Sequence, residues 1–163
     1  MSTEFSHPVI LSHVPSGGRG LRLEASEAER AALAERLGLL SLQSLSAELQ
    51  MDPGPQGVVK VTGRLRAALE QACGITLVPV RQEVDVPLAW RLLPEGMEPS
   101  DGEDDPDDLE SERGVVDLGE ALAQELSLVL DPYPRAPGAE MPELGDDAPH
   151  GPFAALLKLK RPE

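Results

Sequence analysis

The sequence has 163 residues, of which 2% are aromatic, and a formal net charge of −15 at pH 7. The length suits one domain, the few aromatic rings disfavour recognition of nucleic acid by base stacking, and the negative charge repels phosphate and anionic lipid. The single cysteine excludes a disulfide within the chain. No apolar run is long enough to span a membrane and the first residues do not resemble a signal peptide, so we expect a cytoplasmic protein with no membrane partner.

Two short strands are predicted first. Apolar and polar side chains alternate over Leu21–Ala25, which is typical of a strand with one buried face. The segment Pro15–Gly20 is rich in glycine and can form a loop that joins this strand to another one around Val9–Val14.

A helix is predicted next, over about residues 26–38. Ser26 is a good N-cap, and Glu29 completes a capping box, in which each side chain accepts a hydrogen bond from the backbone N–H of the other residue. Gly38 can adopt the left-handed conformation that ends a helix. The residues assigned to its apolar face are Ala28, Leu33 and Leu37.

A long antiparallel hairpin follows and is the clearest structural prediction. A half-buried strand over Leu45–Met51 first ends at the turn residues Asp52–Pro55. Odd-numbered residues are then apolar over about 58–73, and even-numbered residues are apolar over about 76–93. This pattern predicts two paired strands that share one buried face.

A two-residue turn at Gly74-Ile75 is predicted to set the register, because glycine is favoured at the first central position of a type II′ turn. The predicted pairs are Leu65 with Val84, Leu69 with Val80 and Val59 with Trp90 on the buried face, and Arg66 with Glu83 and Arg64 with Asp85 on the outer face. The outer pairs indicate that the basic residues of this face are neutralised within the protein, which disfavours a phosphate-binding patch.

A second helix is predicted over about residues 117–131. Asp117 is its N-cap, Glu120 lies three residues further on, and Pro132 follows its end. The residues of its apolar face are Leu118, Leu122, Leu126 and Val129. Together these elements predict an α+β fold, in which a mostly antiparallel sheet with the long hairpin at its centre is packed by the two helices.

Charge and composition divide the chain. Residues 95–112 hold ten acidic residues and no basic one, so we expect an acidic flexible linker. Residues 136–152 are rich in proline and glycine and predict a second flexible segment, and residues 153–163 form a short basic tail. The single folded domain then comprises residues 1–94 and 113–135, whose net charge is small.

The reactive and metal-binding residue types predict neither a catalytic nor a metal site. Cys73 has no base and no second thiol beside it, so we interpret it as a buried structural residue rather than a nucleophile. The acidic block lacks the ordered ligand spacing of a calcium loop. The histidines without metal-ligand spacing are His7, His13 and His150. We therefore expect no enzyme activity, no cofactor and no small-molecule substrate.

Two charged clusters are hypothetical partner-binding sites. The acidic cluster, which can hold a basic partner or occupy a site for RNA phosphate, consists of Asp104, Asp105, Asp107 and Asp108. The basic cluster, which is a candidate for local RNA contact, consists of Lys158, Lys160 and Arg161.

Several short motifs, taken in their order along the chain, point to a family. They are Phe5–Val9, Leu21–Ala25, Arg36–Gly38, Val61–Gly63, a hairpin motif that contains Cys73, Gly74, Thr76 and Pro79, then Val116–Glu120, Asp131–Arg135, and Pro152–Leu156 with Lys158 and Lys160. Together they resemble the YceD family of large ribosomal RNA subunit accumulation proteins, found in bacteria and plastids.

The chain also departs from this family. Many members carry Cys-x-x-Cys at the hairpin and a second cysteine pair near the carboxyl end, which together resemble a zinc site. Here Thr76 stands in the second position after Cys73, and no cysteine follows Pro134. The resemblance is therefore to a metal-less branch, and the segment Asp131–Arg135 must be held by packing or stay loose.

The resemblance implies a non-enzymatic role in ribosome biogenesis, which supports accumulation of the large-subunit (23S) ribosomal RNA. The expected partner is a basic large-subunit ribosomal protein or precursor ribosomal RNA, for which the chain acts as an acidic adaptor. A general protein-interaction module unrelated to ribosomes is the alternative, and an enzyme is the least favoured interpretation.

Overall fold

The computed structural model describes residues 4–100 and 102–141. Its regular elements are β1 (Pro8–Ile10), β2 (Arg19–Glu24), α1 (Glu27–Leu37), β3 (Ser41–Pro53), β4 (Val59–Ala72), β5 (Pro79–Leu93), β6 (Asp107–Glu110), β7 (Val115–Asp117) and α2 (Leu118–Val129). In this part of the chain neither α-helix is long and apolar enough to cross a membrane.

Five strands form one sheet in the order β2-β3-β4-β5-β6. Its first four strands are antiparallel neighbours, and β6 pairs parallel to the end of β5. This arrangement confirms the α+β fold with a mostly antiparallel sheet. The predicted strand at Val9–Val14 is shorter than expected, because a 3-10 turn begins at Leu11, and β1 pairs with β7 in a separate two-stranded sheet.

The long hairpin is present, but its predicted register is wrong by two residues. Six residues, Cys73–Val78, connect Ala72 to Pro79 in place of the predicted two-residue turn. Because a shift by two residues keeps every side chain on its face, the predicted buried face is correct. The observed pairs include Val59 with Leu92, Leu65 with Val86, Leu69 with Gln82 and Arg66 with Asp85.

Both helices begin at the predicted caps. Ser26 and Glu29 form the capping box, and Gly38 ends α1 with φ of +66°. The assignment of Ala28 to the buried face of α1 is wrong, because five positions along a helix correspond to a rotation of about 140° away from Leu33. The buried residues of α1 are Leu33 and Ala34, and those of α2 include the predicted Leu118, Leu122 and Leu126.

One core lies between the sheet and the helices, and it contains the side chain of Trp90, which is 2% exposed. Gly63 of β4 allows a close approach to β3, because a Cβ atom there would overlap the carbonyl oxygen of Glu48. The close backbone approach explains why a residue without a side chain occupies this inward position.

The acidic segment contributes to the sheet. The expected flexible linker, residues 95–112, is wrong for residues 107–110, which form β6 beside Trp90–Leu93 of β5. An edge strand therefore lies inside the block whose composition alone predicted no fold.

Candidate partner-binding surface

The hairpin motif forms a turn that is closed by its own backbone. The Cys73 N–H donates to the carbonyl oxygen of Val78 (2.8 Å), and the Leu77 N–H donates to the carbonyl oxygen of Cys73 (3.0 Å). The Thr76 N–H donates to the Cys73 Sγ atom (3.5 Å). Pro79 then begins β5 opposite Ala72, so the residues of this motif have structural roles in the turn.

Residues 131–136, which we call the strap, cross this turn. The hydrogen bonds that hold the strap run from Gly74 N to Pro134 O (2.8 Å), Ala136 N to Cys73 Sγ (3.3 Å), Gln71 Nε2 to Asp131 O (3.0 Å) and Asp131 N to Gln82 Oε1 (3.3 Å). The sequence left open whether the segment Asp131–Arg135 is packed or loose. The structure shows that this segment is held by hydrogen bonds to both strands of the hairpin.

The buried Cys73 Sγ atom is an acceptor of hydrogen bonds rather than a metal ligand. The Ala136 N–H, followed by the side chain and backbone of Thr76 and the backbone of Ile75, lowers the pKa of Cys73 to about 6. Across residues 4–100 and 102–141, no group of three His, Cys, Asp or Glu side chains is placed to hold a metal ion. The residues at this turn therefore do not fit the zinc ion implied by the cysteine pairs of other family members.

The predicted acidic cluster divides into two parts. Asp108 lies inside the protein: its side chain is 4% exposed and forms a two-point ion pair with Arg91 (2.6 and 2.7 Å). The Arg91 guanidinium, opposed by burial and assisted by the Ser100 N–H, lowers the pKa of Asp108 below its ordinary value. The other three carboxylates, those of Asp104, Asp105 and Asp107, are exposed, and Asp105 accepts a hydrogen bond from Ser100.

The exposed aspartates border a cleft of about 330 Å³. The cleft is also lined by the Pro87–Trp90 segment of β5 and by Glu125 of α2. Burial and then the negative charge of Asp107 raise the pKa of Glu125, while a hydrogen bond from Trp90 lowers it. The cleft therefore offers carboxylates beside apolar surface, which suits a basic side chain with an aliphatic stem. The sequence pattern missed Glu125, because it lies on a helix distant in sequence from the acidic block.

Three arginines of the outer sheet face, Arg64, Arg66 and Arg81, form ion pairs with carboxylates of β5. Arg64 contacts Asp85 at 2.8 Å, as predicted, and Arg66 contacts the same carboxylate at 3.8 Å. The predicted pair of Arg66 with Glu83 is wrong because of the register shift, and Glu83 instead contacts Arg81 (3.1 Å). The other predicted basic cluster, Lys158, Lys160 and Arg161, lies outside the described residues.

Two of the family motifs meet at the start of α2. Asp117 caps the helix by accepting from Gly119 N (3.0 Å) and Glu120 N (3.2 Å), and it also accepts from Ser6 Oγ (2.6 Å) and His7 N (2.7 Å). A Cβ atom on Gly119 would lie 2.6 Å from the Phe5 carbonyl oxygen. The sequence predicted the cap but not its second role, because the amino-terminal partners are more than a hundred residues away.

A family model described as large ribosomal RNA subunit accumulation protein YceD matches residues 61–160. This range includes the hairpin, the acidic segment, α2 and the strap. Neither a curated protein nor a solved structure matches the chain.

Proposed function

The chain belongs to the YceD family of large ribosomal RNA subunit accumulation proteins, and we propose that it serves this role without catalysis, as an acidic adaptor for a basic large-subunit ribosomal protein. Precursor ribosomal RNA is the second candidate partner. The proposed location is the cytoplasm, where ribosomes are assembled.

The observation that carries the proposal is the acidic cleft between β5 and α2. Its exposed carboxylates include those of Asp104 and Asp107, and Glu125 completes the rim. Carboxylates of this kind attract a basic partner from a distance, and the apolar side chains among the lining residues add short-range contact area. Asp108 takes no part in partner binding in this proposal, because its carboxylate is occupied by Arg91.

The proposal that the chain is not an enzyme is supported by the surroundings of Cys73. Its Sγ atom is buried and receives N–H donors from the turn and the strap. A nucleophilic cysteine needs an exposed sulfur and an adjacent base. The described hydrogen bonds of this sulfur include no histidine.

The test is an affinity capture from growing cells at low salt, with and without nuclease, followed by identification of bound RNA and protein. We expect enrichment of large-subunit over small-subunit proteins that persists after nuclease treatment. Loss of that enrichment with nuclease would favour RNA contact, for which Lys158, Lys160 and Arg161 are the candidate residues. Enrichment of neither subunit would favour an interaction module unrelated to ribosomes.

A matched pair of variants tests the cleft. The double variant Asp104→Asn, Asp107→Asn removes two charges at the cleft, and the control Glu24→Gln, Glu35→Gln removes two exposed charges from β2 and α1. We expect the first variant alone to weaken capture and to flatten its dependence on salt concentration, because fewer ion pairs form on binding. An equal salt dependence in both variants contradicts the adaptor proposal.

A further inference from the structure

The strand β2 forms an open edge of the five-stranded sheet. It has six residues, contains no proline and pairs with β3 in continuous register. On its other side no strand of residues 4–100 or 102–141 is its neighbour. An edge of this kind presents unpaired backbone N–H and C=O groups, with which a strand of another chain can pair.

The hydrogen-bond pattern identifies the residues that face the open side. The Ala25 N–H donates to the carbonyl oxygen of Leu45 on β3 (3.0 Å). Alternate residues of an antiparallel strand bond to the same neighbour, so the backbone groups of Arg22 and Glu24 are directed away from β3. These two residues therefore present their N–H and C=O groups at the open edge.

The side chains of Arg22 and Glu24 are exposed on the outer face of the sheet. Neither forms an ion pair with another residue that the structure describes. On β4 of the same face, Arg64 and Arg66 both contact Asp85. The edge strand thus carries two opposite charges, two residues apart, that its own chain leaves without an ion pair.

We propose that β2 pairs antiparallel with β2 of a second copy of the chain, so that two sheets form one continuous sheet in a two-fold symmetric dimer. In this register Leu23 lies opposite Leu23 of the second copy, and Arg22 lies opposite Glu24 on both sides of that pair. A two-fold axis perpendicular to the sheet keeps the core faces of both copies on the same side. Leu23, which is buried in each copy, therefore stays on the apolar face.

The charges favour this register over its neighbours. A two-fold axis centred on Arg22 places two arginines directly opposite each other, and one centred on Glu24 places two glutamates so. Like charges in these positions are destabilising. A centre at Leu21 places Arg22 opposite Gly20 and forms no ion pair. Only the centre at Leu23 satisfies both charges of each copy.

The other edge of the sheet does not favour a second copy. β6 has four residues, of which Asp107, Asp108 and Glu110 are acidic, so two copies of this strand would bring only like charges together. The acidic cleft is lined by β5 and residues 104–107, at the opposite end of the sheet from β2. The inference therefore does not depend on the proposed function, and substitution of Glu24 leaves the cleft unchanged.

The test measures the mass of the full chain by sedimentation equilibrium at concentrations up to about 1 mM. The pairing involves residues 21–25 of each copy, so the interface is small and we expect a dimer that dissociates on dilution. Hydrogen exchange locates the interface. Protection of the Arg22 and Glu24 amides should rise with protein concentration, because their N–H groups bond to the second copy. The Leu21 and Leu23 amides bond to β3 and should be protected throughout.

Charge reversal tests the register. Arg22→Glu and Glu24→Arg each place like charges opposite each other, so we expect both to raise the dissociation constant of the dimer at least about tenfold. The two variants change the net charge in opposite directions, so a loss that they share does not come from net charge. The double variant Arg22→Glu, Glu24→Arg restores both ion pairs, and the dimer should return. Circular dichroism checks that each variant is folded.

Three outcomes overturn the proposal. The mass of a single chain at every concentration means that no dimer forms. A dimer of unchanged affinity in Arg22→Glu means that another surface holds the copies together. Loss of the dimer in both single variants, without recovery in the folded double variant, means that Arg22 does not lie opposite Glu24.

Discussion

At the residue scale, Cys73 is expected to titrate as an unusually acidic thiol without being reactive. Hydrogen bonds from Ala136 and Thr76 lower its pKa from 9.0 to about 6. Because the thiolate is favoured more strongly in the folded state than in the unfolded state, ionisation of Cys73 stabilises the fold. This contribution is complete above the unfolded pKa of 9.0 and is lost as the pH falls through the folded pKa of about 6. Thiolate absorbance near 240 nm should therefore rise with a midpoint near pH 6, while alkylation stays slow because the sulfur is buried.

Cys73→Ser is the matched variant for this prediction, because a hydroxyl group accepts hydrogen bonds but does not ionise in this range. The difference in unfolding free energy between parent and variant should grow from pH 6 to pH 9. A difference that is the same at both ends of this range would contradict a lowered pKa.

Gly63 gives a second prediction at the same scale. Gly63→Ala places a Cβ atom against the backbone of Glu48, so strands β3 and β4 must separate locally. We expect a loss of about 1–3 kcal/mol in unfolding free energy, measured by denaturant titration. Gly17→Ala is the control, because no atom lies within 4 Å of its Cβ position, and it should be neutral or slightly stabilising.

Residue-scale features could be predicted from sequence where the partners are close along the chain. The capping box of Ser26 with Glu29 involves residues three apart, and the conformation of Gly38 depends on its own lack of a side chain. The bond from Ala136 to Cys73 joins residues 63 apart. No local pattern reports such a contact, because it depends on how α2 returns the chain to the hairpin.

At the scale of elements, β6 is expected to depend on one ion pair. Asp108→Asn removes the charge that Arg91 contacts at 2.6 Å, whereas Asp107→Asn changes an exposed neighbour. Amide hydrogens of residues 107–110 should exchange faster in the first variant, while those of β4 keep their protection.

The pH dependence of β6 follows from the same pair. The lowered pKa of Asp108 means that the ion pair is intact above the ordinary aspartate value of 3.8 and is lost as the pH falls through the lower folded value. Exchange of β6 should therefore accelerate selectively in acid. Equal acceleration across the whole sheet would instead indicate global unfolding.

The register of the hairpin and the existence of β6 mark the limit of pattern analysis for elements. The alternation of apolar and polar side chains predicts which face of β4 and β5 is buried. It does not predict the register, because a shift of the pairing by two residues leaves every side chain on the same face. The six-residue turn sets the register, and the strap stabilises this turn. The alternation pattern of the strands carries no information about the strap. The composition of β6 predicts disorder, whereas its pairing is explained by Arg91 on the neighbouring strand and by the packing of Leu109 against the core.

At the scale of the whole molecule, the described elements should unfold together. The sheet and both helices contribute to one core, and Trp90, the one tryptophan, lies inside it. Tryptophan fluorescence and far-ultraviolet circular dichroism should therefore give coincident denaturation curves. Separate midpoints would show that β1, β7 and α2 form an independent unit.

The net charge illustrates what whole-molecule composition can predict. A value of −15 correctly directs attention to acidic segments, and ten of the acidic residues lie within residues 95–112. Composition could not predict that these residues lie in two different environments. Asp108 is part of the interior beside Arg91, whereas Asp104 and Asp107 face the cleft. Asp107 and Asp108 are neighbours on β6 and so lie on opposite faces of it, whereas Asp104 precedes this strand.

The contact of Ser6 and His7 with Asp117 also constrains the order of events during synthesis. The two ends of this contact are 110 residues apart for His7. At a synthesis rate of about 5–20 residues per second, roughly 5–20 s pass between the emergence of one and the other. During that interval Phe5 and Val9, which are buried in the finished protein, have no completed binding site. These residues are thus made before Asp117 but fixed only after it, and a nascent chain stalled before Asp117 leaves their apolar side chains exposed.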